Sequence, residues 1–199
     1  MARCQHGLVT LDQLRVAGHS RSSWHRAHRD GLLVPVHRGV SRVAVVTPSP
    51  WQTILAAVLL TGGAASHLSA AWLWGADVPG TDPVDVTVTD RRRSARAAGV
   101  RVHRPTDLAD LLAVDRGGVP TTSPLRTAVD IGAVAGTDVV AAVVECFLGQ
   151  RFVSPAELRA AVEQHGRRGR SGVGALRRVL AGGEPVAQAR ATRSRVGRR

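Results

Sequence analysis

Five polar side chains between residues 21 and 29 have the chemistry needed to contact DNA. Guanidinium groups bind phosphates and guanine edges, while imidazole and hydroxyl groups bind base edges. Helical spacing would direct these side chains away from the face that carries Trp24, Ala27 and His28. The five candidate DNA-binding residues are Arg21, Ser22, His25, Arg26 and Arg29. A solvated arginine-rich surface and a dimerisation module are the alternative interpretations.

The surrounding segment predicts the elements that would position these side chains. Thr10 and Gln13 have the spacing of a capping box for a first helix, and Gly18 ends it. Ser20 is a suitable cap for a second helix, which Gly31 would end. A turn at Arg38 and Gly39 separates two runs of β-branched residues, as in a hairpin. This pattern of caps, glycines and a hairpin therefore predicts a winged helix-turn-helix over residues 10–46.

The predicted hairpin supplies two further candidate DNA-binding residues. Arg38 and Arg42 flank the turn at Gly39, where a wing meets the sugar–phosphate backbone. A second basic stretch, residues 91–96, could bind phosphate or could be a solvated run of charge. This possible secondary patch consists of Arg91, Arg92, Arg93 and Arg96.

Residue types suited to catalysis are present but poorly arranged. Metal-dependent phosphodiester cleavage needs clustered carboxylates, and only Asp107 and Asp110 come close to a pair. His67 and Ser69 lie two apart on a predicted helix and would not face each other, so Ser66 is predicted as a cap and His67 as a packing or surface residue. We therefore predict no catalytic residue, no metal site, no cofactor and no enzymatic activity.

Arg126 and Asp130 are spaced four residues apart on one predicted helix. Such a pair is usually an ordinary surface ion pair worth a few tenths of a kcal/mol. A contact with a partner protein is the less favoured alternative.

The fold class predicted for the whole chain is α+β. Residues 1–9 would be a helix or lead-in that Gly7 breaks, and helices are predicted at 51–60 and 66–74. Residues 85–89 alternate between polar and apolar, which predicts a strand with one solvated face. This strand and a strand at 100–104 would pair antiparallel through the basic loop, followed by a short strand at 111–114 and a last edge strand after the 117–120 turn. Four helices are then expected, at residues 123–133, 138–149, 154–165 and 174–180.

These elements predict two domains and a tail. A winged helix-turn-helix DNA-binding domain would occupy residues 1–46. A small mixed α/β domain with several helices would span residues 47–182. Residues 183–199 are polar and arginine-rich, which favours a basic, disordered tail.

Composition favours a polyanionic partner in a reducing compartment. The net charge is +12 and all 27 basic residues are arginine, so phosphate binding would be driven by counterion release. The two cysteines form no metal or disulfide motif, and no signal peptide or membrane segment is recognisable, which predicts a cytoplasmic protein. Few aromatic residues are present, which disfavours a stacking platform for single-stranded nucleic acid.

Several short motifs in order resemble the AbiEi antitoxins of type IV toxin–antitoxin systems, in their actinobacterial form. The similarity covers roughly residues 3–182 and is carried by residues 5–10, 20–24, 31–32, 36–40, 66–71, 73–75 and 122–127, with Asp130. Ser41 stands where many relatives have tyrosine. Many relatives also continue into an endonuclease-like domain after a Thr-Arg-Ser segment, which here is residues 192–194.

The resemblance implies an autorepressor and antitoxin that acts on operator DNA. Its winged helix would repress its own operon, and its C-terminal domain would counter a nucleotidyltransferase toxin without being a nuclease. A truncated relative of an endonuclease-like protein is the alternative, and the neighbouring reading frame would discriminate the two. A structural nucleic-acid-associated protein is a further alternative, which would bind DNA without sequence preference.

Overall fold

The computed structural model describes residues 5–90, 97–108, 111–166 and 172–182. Within these ranges the chain forms eight α-helices and eight strands in two sheets, which confirms the α+β class. The chain divides into two compact units, Met1–Ser123 and Pro124–Arg199. None of the helices in the described ranges is long and apolar enough to cross a bilayer.

The first elements of unit 1 form two helices against a three-stranded sheet. They are β1 (Leu8–Thr10), α1 (Leu11–Val16), α2 (Arg21–Arg29), β2 (Leu33–His37) and β3 (Val40–Val43). The antiparallel sheet has the order β1-β3-β2. Strand β1 follows the predicted break at Gly7 and is paired with β3, which supplies its backbone hydrogen bonds. Residues 1–4 of the predicted helix or lead-in lie outside the described residues.

The predicted boundaries of these helices are confirmed. Thr10 and Gln13 form a capping box at α1, and the Ser20 hydroxyl accepts a hydrogen bond from the Ser23 amide at the start of α2. Gly18 and Gly31 follow the two helices with φ of +84° and +70°. Only glycine adopts this left-handed backbone without a steric cost, so both helices end where the sequence predicts.

The rest of unit 1 is a five-stranded mixed sheet with two helices. Its elements are α3 (Pro50–Thr61), β4 (Ala64–Ala65), α4 (His67–Leu73), β5 (Val84–Thr87), β6 (Val100–His103), β7 (Ala113–Arg116) and β8 (Val119–Thr122). The strand order is β6-β5-β4-β8-β7. Valines from β5 and β6 pack on α3 across one face of the sheet.

Three predictions about this sheet are wrong. Strands β5 and β6 pair in parallel, with Asp85 opposite Arg101 and Thr87 opposite His103. The connection between them is about a dozen residues long, which permits a crossover instead of a hairpin. All four residues of β5 are buried, because β4 and β6 flank it and α4 covers its polar face. The last strand, β8, is internal, and β7 forms the edge.

The predicted domain boundary between residues 46 and 47 falls inside unit 1. Leu8 and Val40 of the first sheet belong to the same apolar core as Ile54, Leu55 and Val86. The amide of Gln52 donates to the carbonyl of His6 at 2.6 Å, and Nε2 of His6 lies 2.7 Å from the carbonyl of Gly117. The first sheet therefore shares its core with the second, and a functional division at residue 46 stays a prediction.

Unit 2 is helical in its described residues. Its helices are α5 (Pro124–Asp130), continued by a 3-10 turn (Ile131–Ala133), α6 (Thr137–Gly149), α7 (Pro155–His165) and α8 (Val173–Gly182). These confirm the four predicted helices. Ser154 and Glu157 form a capping box at α7, next to Pro155 at the first helical position. The predicted tail, residues 183–199, lies outside the described residues.

The pair formed by Arg126 and Asp130 corrects the prediction of an ordinary surface ion pair. Nε of Arg126 donates to a carboxylate oxygen of Asp130 at 2.7 Å. Arg126 is only 1% exposed and Asp130 only 8%. A buried guanidinium carries a large desolvation cost, so the carboxylate is needed to keep it in the interior.

Candidate nucleic-acid interface

Helix α2 presents the five predicted DNA-binding side chains on its exposed face. Arg21, Ser22, His25, Arg26 and Arg29 are all exposed, while Trp24 is buried on the opposite side. In the part of the chain that the structure describes, no carboxylate forms an ion pair with the three arginines. Their guanidinium groups are therefore available to a polyanion without first breaking a salt bridge.

Trp24 and His28 hold α2 against the rest of the segment that runs from β1 to β3. Trp24 packs with Val9 and Leu33 in a small apolar core, and its ring meets that of His28 edge-on with centroids 4.7 Å apart. Nδ1 of His28 lies 2.8 Å from the carbonyl of Trp24, and Nε2 lies 2.7 Å from the hydroxyl of Ser41. A carbonyl only accepts, so Nδ1 carries a proton and donates it to Trp24, while Nε2 forms the hydrogen bond with Ser41.

Ser41 contacts α2 from the three-stranded sheet. Ser41 is 1% exposed on β3, directly beside His28. Its short hydroxyl reaches the imidazole and joins the exposed helix to the centre of the three-stranded sheet. A larger side chain at this buried position would need the helix to move outward.

The turn between β2 and β3 places Arg38 on the surface. Gly39 has a φ of +75°, and the backbone amide of Leu11 donates to its carbonyl at 2.9 Å. Arg38 is exposed, and no ion pair engages it among the described residues. This geometry brings the cation of Arg38 to the tip of the hairpin, and its role as a wing residue stays a prediction.

Arg42 has a different environment from Arg38. Its Nη1 donates to the carbonyl oxygens of Ala44 at 3.0 Å and of Val46, and lies 3.5 Å from that of Val43. These bonds fix the chain where it leaves β3, so much of the hydrogen-bonding capacity of Arg42 is used within the protein. The sequence could not predict this, because the acceptors converge only once the turn has formed.

His37 adds no positive charge to the hairpin near neutral pH. Burial lowers the pKa of His37 below its ordinary value, because the charged imidazolium loses hydration in this partly buried position. The positive potential at the hairpin therefore comes from arginine and does not vary with pH in the physiological range.

Two other sets of predicted residues lie wholly or partly outside the described residues. The possible secondary patch of Arg91, Arg92, Arg93 and Arg96 lies outside the described residues, and so does Asp110 of the Asp107 and Asp110 pair. In the ranges that are described, no group of three or more histidine, cysteine, aspartate or glutamate residues could hold a metal ion.

The structure also assembles a polar cluster that sequence reasoning missed. Asp85 of β5 and His103 of β6 come together because the two strands run in parallel. His67 is buried and stacks on His103, which agrees with the packing role that was one of the two predicted for it. Ser66 occupies the cap position of α4, but its hydroxyl bonds Nδ1 of His67 and caps no amide. The sequence signal that could have indicated this cluster was the pair of polar residues Arg101 and His103 at alternate positions of β6.

Comparison with known proteins identifies a family and similar solved structures. A family model described as the AbiEi antitoxin C-terminal domain matches residues 63–180, more than half of the chain. The crystal structure of the RV2827C protein from Mycobacterium tuberculosis is similar, with a TM-score of 0.47 and 21% identity, over 90% of this chain and 78% of that chain. No curated protein matches the sequence.

Proposed function

The chain belongs to the AbiEi antitoxin family, and from that premise we propose that it is a cytoplasmic antitoxin that also binds operator DNA. The family match supports an antitoxin role. The observation that carries DNA binding is the exposed face of α2, where three arginines share one surface and form no ion pair with any described carboxylate. A helix of this kind enters the major groove, with its side chains reading base edges.

In the proposed complex, the residues of the module have separate roles. Arg21, Ser22, His25, Arg26 and Arg29 contact base edges and adjacent phosphates. Arg38 contacts the backbone beside the groove, and Arg42 mainly holds the turn that presents it. Binding to the operator of its own operon would then lower transcription, since the protein covers the promoter in proportion to its concentration. The residues at 91–96 remain a possible second basic patch.

Replacing Arg26 with alanine should weaken specific DNA binding by about 1–3 kcal/mol if this side chain reads a base edge. Arg26 is exposed near the middle of α2, so the substitution should leave the fold intact. Fluorescence anisotropy with a selected operator duplex measures the change. Arg15→Ala on α1 is a matched control, because Arg15 is paired with Asp12 and lies outside the proposed interface. Equal affinities for wild type and for the Arg21, Arg26 and Arg29 variants would refute the assignment.

Replacing Arg38 with alanine should weaken binding to all duplexes alike. A phosphate contact positions the protein but reads no sequence. The slope of log affinity against log salt concentration should fall by about one unit for the lost contact. Titrations at several salt concentrations, on operator and on unrelated duplex, provide the measurement. A change in sequence preference with an unchanged salt slope would argue against a backbone contact.

The antitoxin role is tested by co-expression with the protein encoded beside the gene of this chain, which we propose to be a nucleotidyltransferase toxin. We expect cells that express this enzyme alone to stop growing and cells that also express the chain to recover. The combined variant R21A/R26A/R29A should keep this protection, with both proteins under promoters that the chain does not control. Loss of protection in that variant would tie the antitoxin activity to the DNA-binding face, and absence of protection by wild type would refute the role.

We further propose that the protein is not a nuclease. Nuclease chemistry needs convergent carboxylates that bind metal, and Asp85 instead has its charge engaged by Arg101 and His103. Supercoiled plasmid incubated with purified protein and Mg²⁺ or Mn²⁺ should stay intact. Cleavage that disappears in the Asp85→Asn variant would overturn this prediction.

A further inference from the structure

Five polar side chains converge on the face of β5 and β6 that α4 covers. Asp85 is fully buried, and one of its carboxylate oxygens, Oδ1, lies 2.8 Å from Nε2 of His103 and 3.4 Å from Nη1 of Arg101. The ring of His67 stacks on that of His103 with centroids 3.7 Å apart. The hydroxyl of Ser66 lies 2.9 Å from Nδ1 of His67.

The buried carboxylate fixes the orientation of His103. An ionised carboxylate only accepts, so Nε2 of His103 carries a proton and donates it to Asp85. The other ring nitrogen, Nδ1, makes no hydrogen bond with any described residue. The His103 side chain is 20% exposed, so an external group can approach the ring. A carboxylate that orients an imidazole in this way is the arrangement enzymes and binding sites use to present one ring nitrogen to a ligand.

His67 fixes the position of the ring from its other face. The backbone of His67 has a φ of +49°, which costs energy for a residue with a side chain. Such a conformation persists only where the surrounding structure enforces it, and these residues cluster at functional sites. Here the strained backbone turns the imidazole of His67 under that of His103. The ring that is presented to solvent is therefore held by a carboxylate at its edge and by an imidazole on its face.

Arg101 places a positive charge near His103, because both side chains contact the same carboxylate oxygen of Asp85. It lies two residues before His103 on β6, so both side chains are on the same face of the strand. Strand β6 is the edge of its sheet, and the Arg101 side chain is 44% exposed. One of its nitrogens contacts Asp85, and its planar fork has five donors in all, which allows it to bind an oxyanion at the same time.

From this arrangement we propose that Arg101 and His103 bind the terminal phosphate group of a small phosphate monoester. The guanidinium of Arg101 donates to the phosphate oxygens. Nδ1 of His103 shares one proton with a phosphate oxygen: the neutral ring accepts it from a protonated phosphate, and the charged ring donates it. Asp85 and His67 are positioning residues that hold the ring. This site is independent of the proposed DNA-binding face and uses different residues.

A terminal phosphate fits these side chains better than a phosphodiester. His103 is more recessed than Arg101, so a group that reaches its nitrogen must project beyond the rest of the ligand. A monoester projects three acceptor oxygens. A diester carries a substituent on both sides and offers only two non-bridging oxygens, so it would meet the exposed arginine without reaching the imidazole.

The test is a titration of the full chain with four probes. These are inorganic phosphate, a nucleoside 5′-monophosphate, dimethyl phosphate and a DNA duplex without terminal phosphates. NMR spectra that correlate the imidazole nitrogens of His103 with its ring protons report binding at Nδ1. We expect saturable shifts of the His103 signals with the first two probes only. Shifts with inorganic phosphate alone would overturn the assignment to a monoester, whereas tighter binding of the monophosphate than of inorganic phosphate would support it.

Three variants separate this role from a structural one. Arg101→Ala removes an exposed side chain and should weaken monophosphate binding by about tenfold or more. Asp85→Asn keeps the shape of the carboxylate but can donate to Nε2, so it should move the His103 proton to Nδ1, change the ring nitrogen signals and reduce binding. Arg178→Ala, an exposed residue on α8, is the control and should bind normally.

Two outcomes would overturn the proposal. One is the absence of any shift at His103 with the monophosphate in the folded wild-type protein. The other is unchanged affinity in Arg101→Ala. If Asp85→Asn fails to fold, the Arg101 variant and the His103 signals of the wild type still decide the question.

Discussion

Trp24→Ala is expected to lower the free energy of unfolding of unit 1 by about 3–5 kcal/mol. Trp24 is 7% exposed and forms the centre of the core that holds α2, with Val9 and Leu33 beside it. Its removal deletes the largest apolar contact of the module and leaves a cavity that the short helices cannot fill. The edge-on contact with His28 is lost at the same time.

Urea denaturation followed by circular dichroism measures this effect. His25→Ala, on the exposed face of the same helix, is the matched control and should change stability by less than about 0.5 kcal/mol. DNA binding should fall in both variants, but only the Trp24 variant should be destabilised. A stable Trp24→Ala protein with normal DNA binding would show that the tryptophan does not position the helix.

The second large effect is expected from Asp130→Asn in unit 2. The substitution removes the negative charge from beside Arg126, whose side chain is fully buried, and leaves a guanidinium without its charged partner. Breaking one side of a buried ion pair typically costs about 3–5 kcal/mol. Asparagine keeps the size of the side chain, so the loss of stability measures the effect of the charge and not of packing.

Thermal denaturation provides the comparison for this variant. Glu163→Gln on α7 removes an exposed carboxylate and should leave the unfolding temperature nearly unchanged. The double variant R126M/D130L replaces both charges with apolar groups and should recover much of the lost stability. If Asp130→Asn were as stable as the Glu163 control, the carboxylate would not be compensating the buried guanidinium.

Local signals in the sequence predicted most of the helical structure. The capping pairs Thr10–Gln13 and Ser154–Glu157 act over three residues, so their hydrogen bonds depend little on the rest of the fold. The glycines after α1 and α2 end these helices through their own backbone conformation, which also depends little on the rest of the fold. The same reasoning placed the five polar residues of α2 on the exposed face, because one buried Trp24 fixes the rotation of the whole helix.

The sheets were harder to predict because they depend on distant pairings. Strand β4 has only two residues, Ala64 and Ala65, and becomes a strand because β5 and β8 flank it. Alternation at β5 indicated one solvated face, yet α4 packs over that face and buries Asp85. The cluster of Asp85, His67 and His103 could not be predicted, since its members meet only through the parallel register of β5 and β6.

Sequence-specific DNA binding is the central claim, and footprinting the DNA upstream of the chain's own gene tests it most directly. We expect wild-type protein to protect a discrete site there, with an affinity at least about 10³-fold above that for unrelated duplex at physiological salt. The Arg26→Ala protein should lose the protection at concentrations where the Arg15→Ala control retains it. Uniform affinity for every duplex, with no protected site and no effect of Arg26→Ala, would contradict the account.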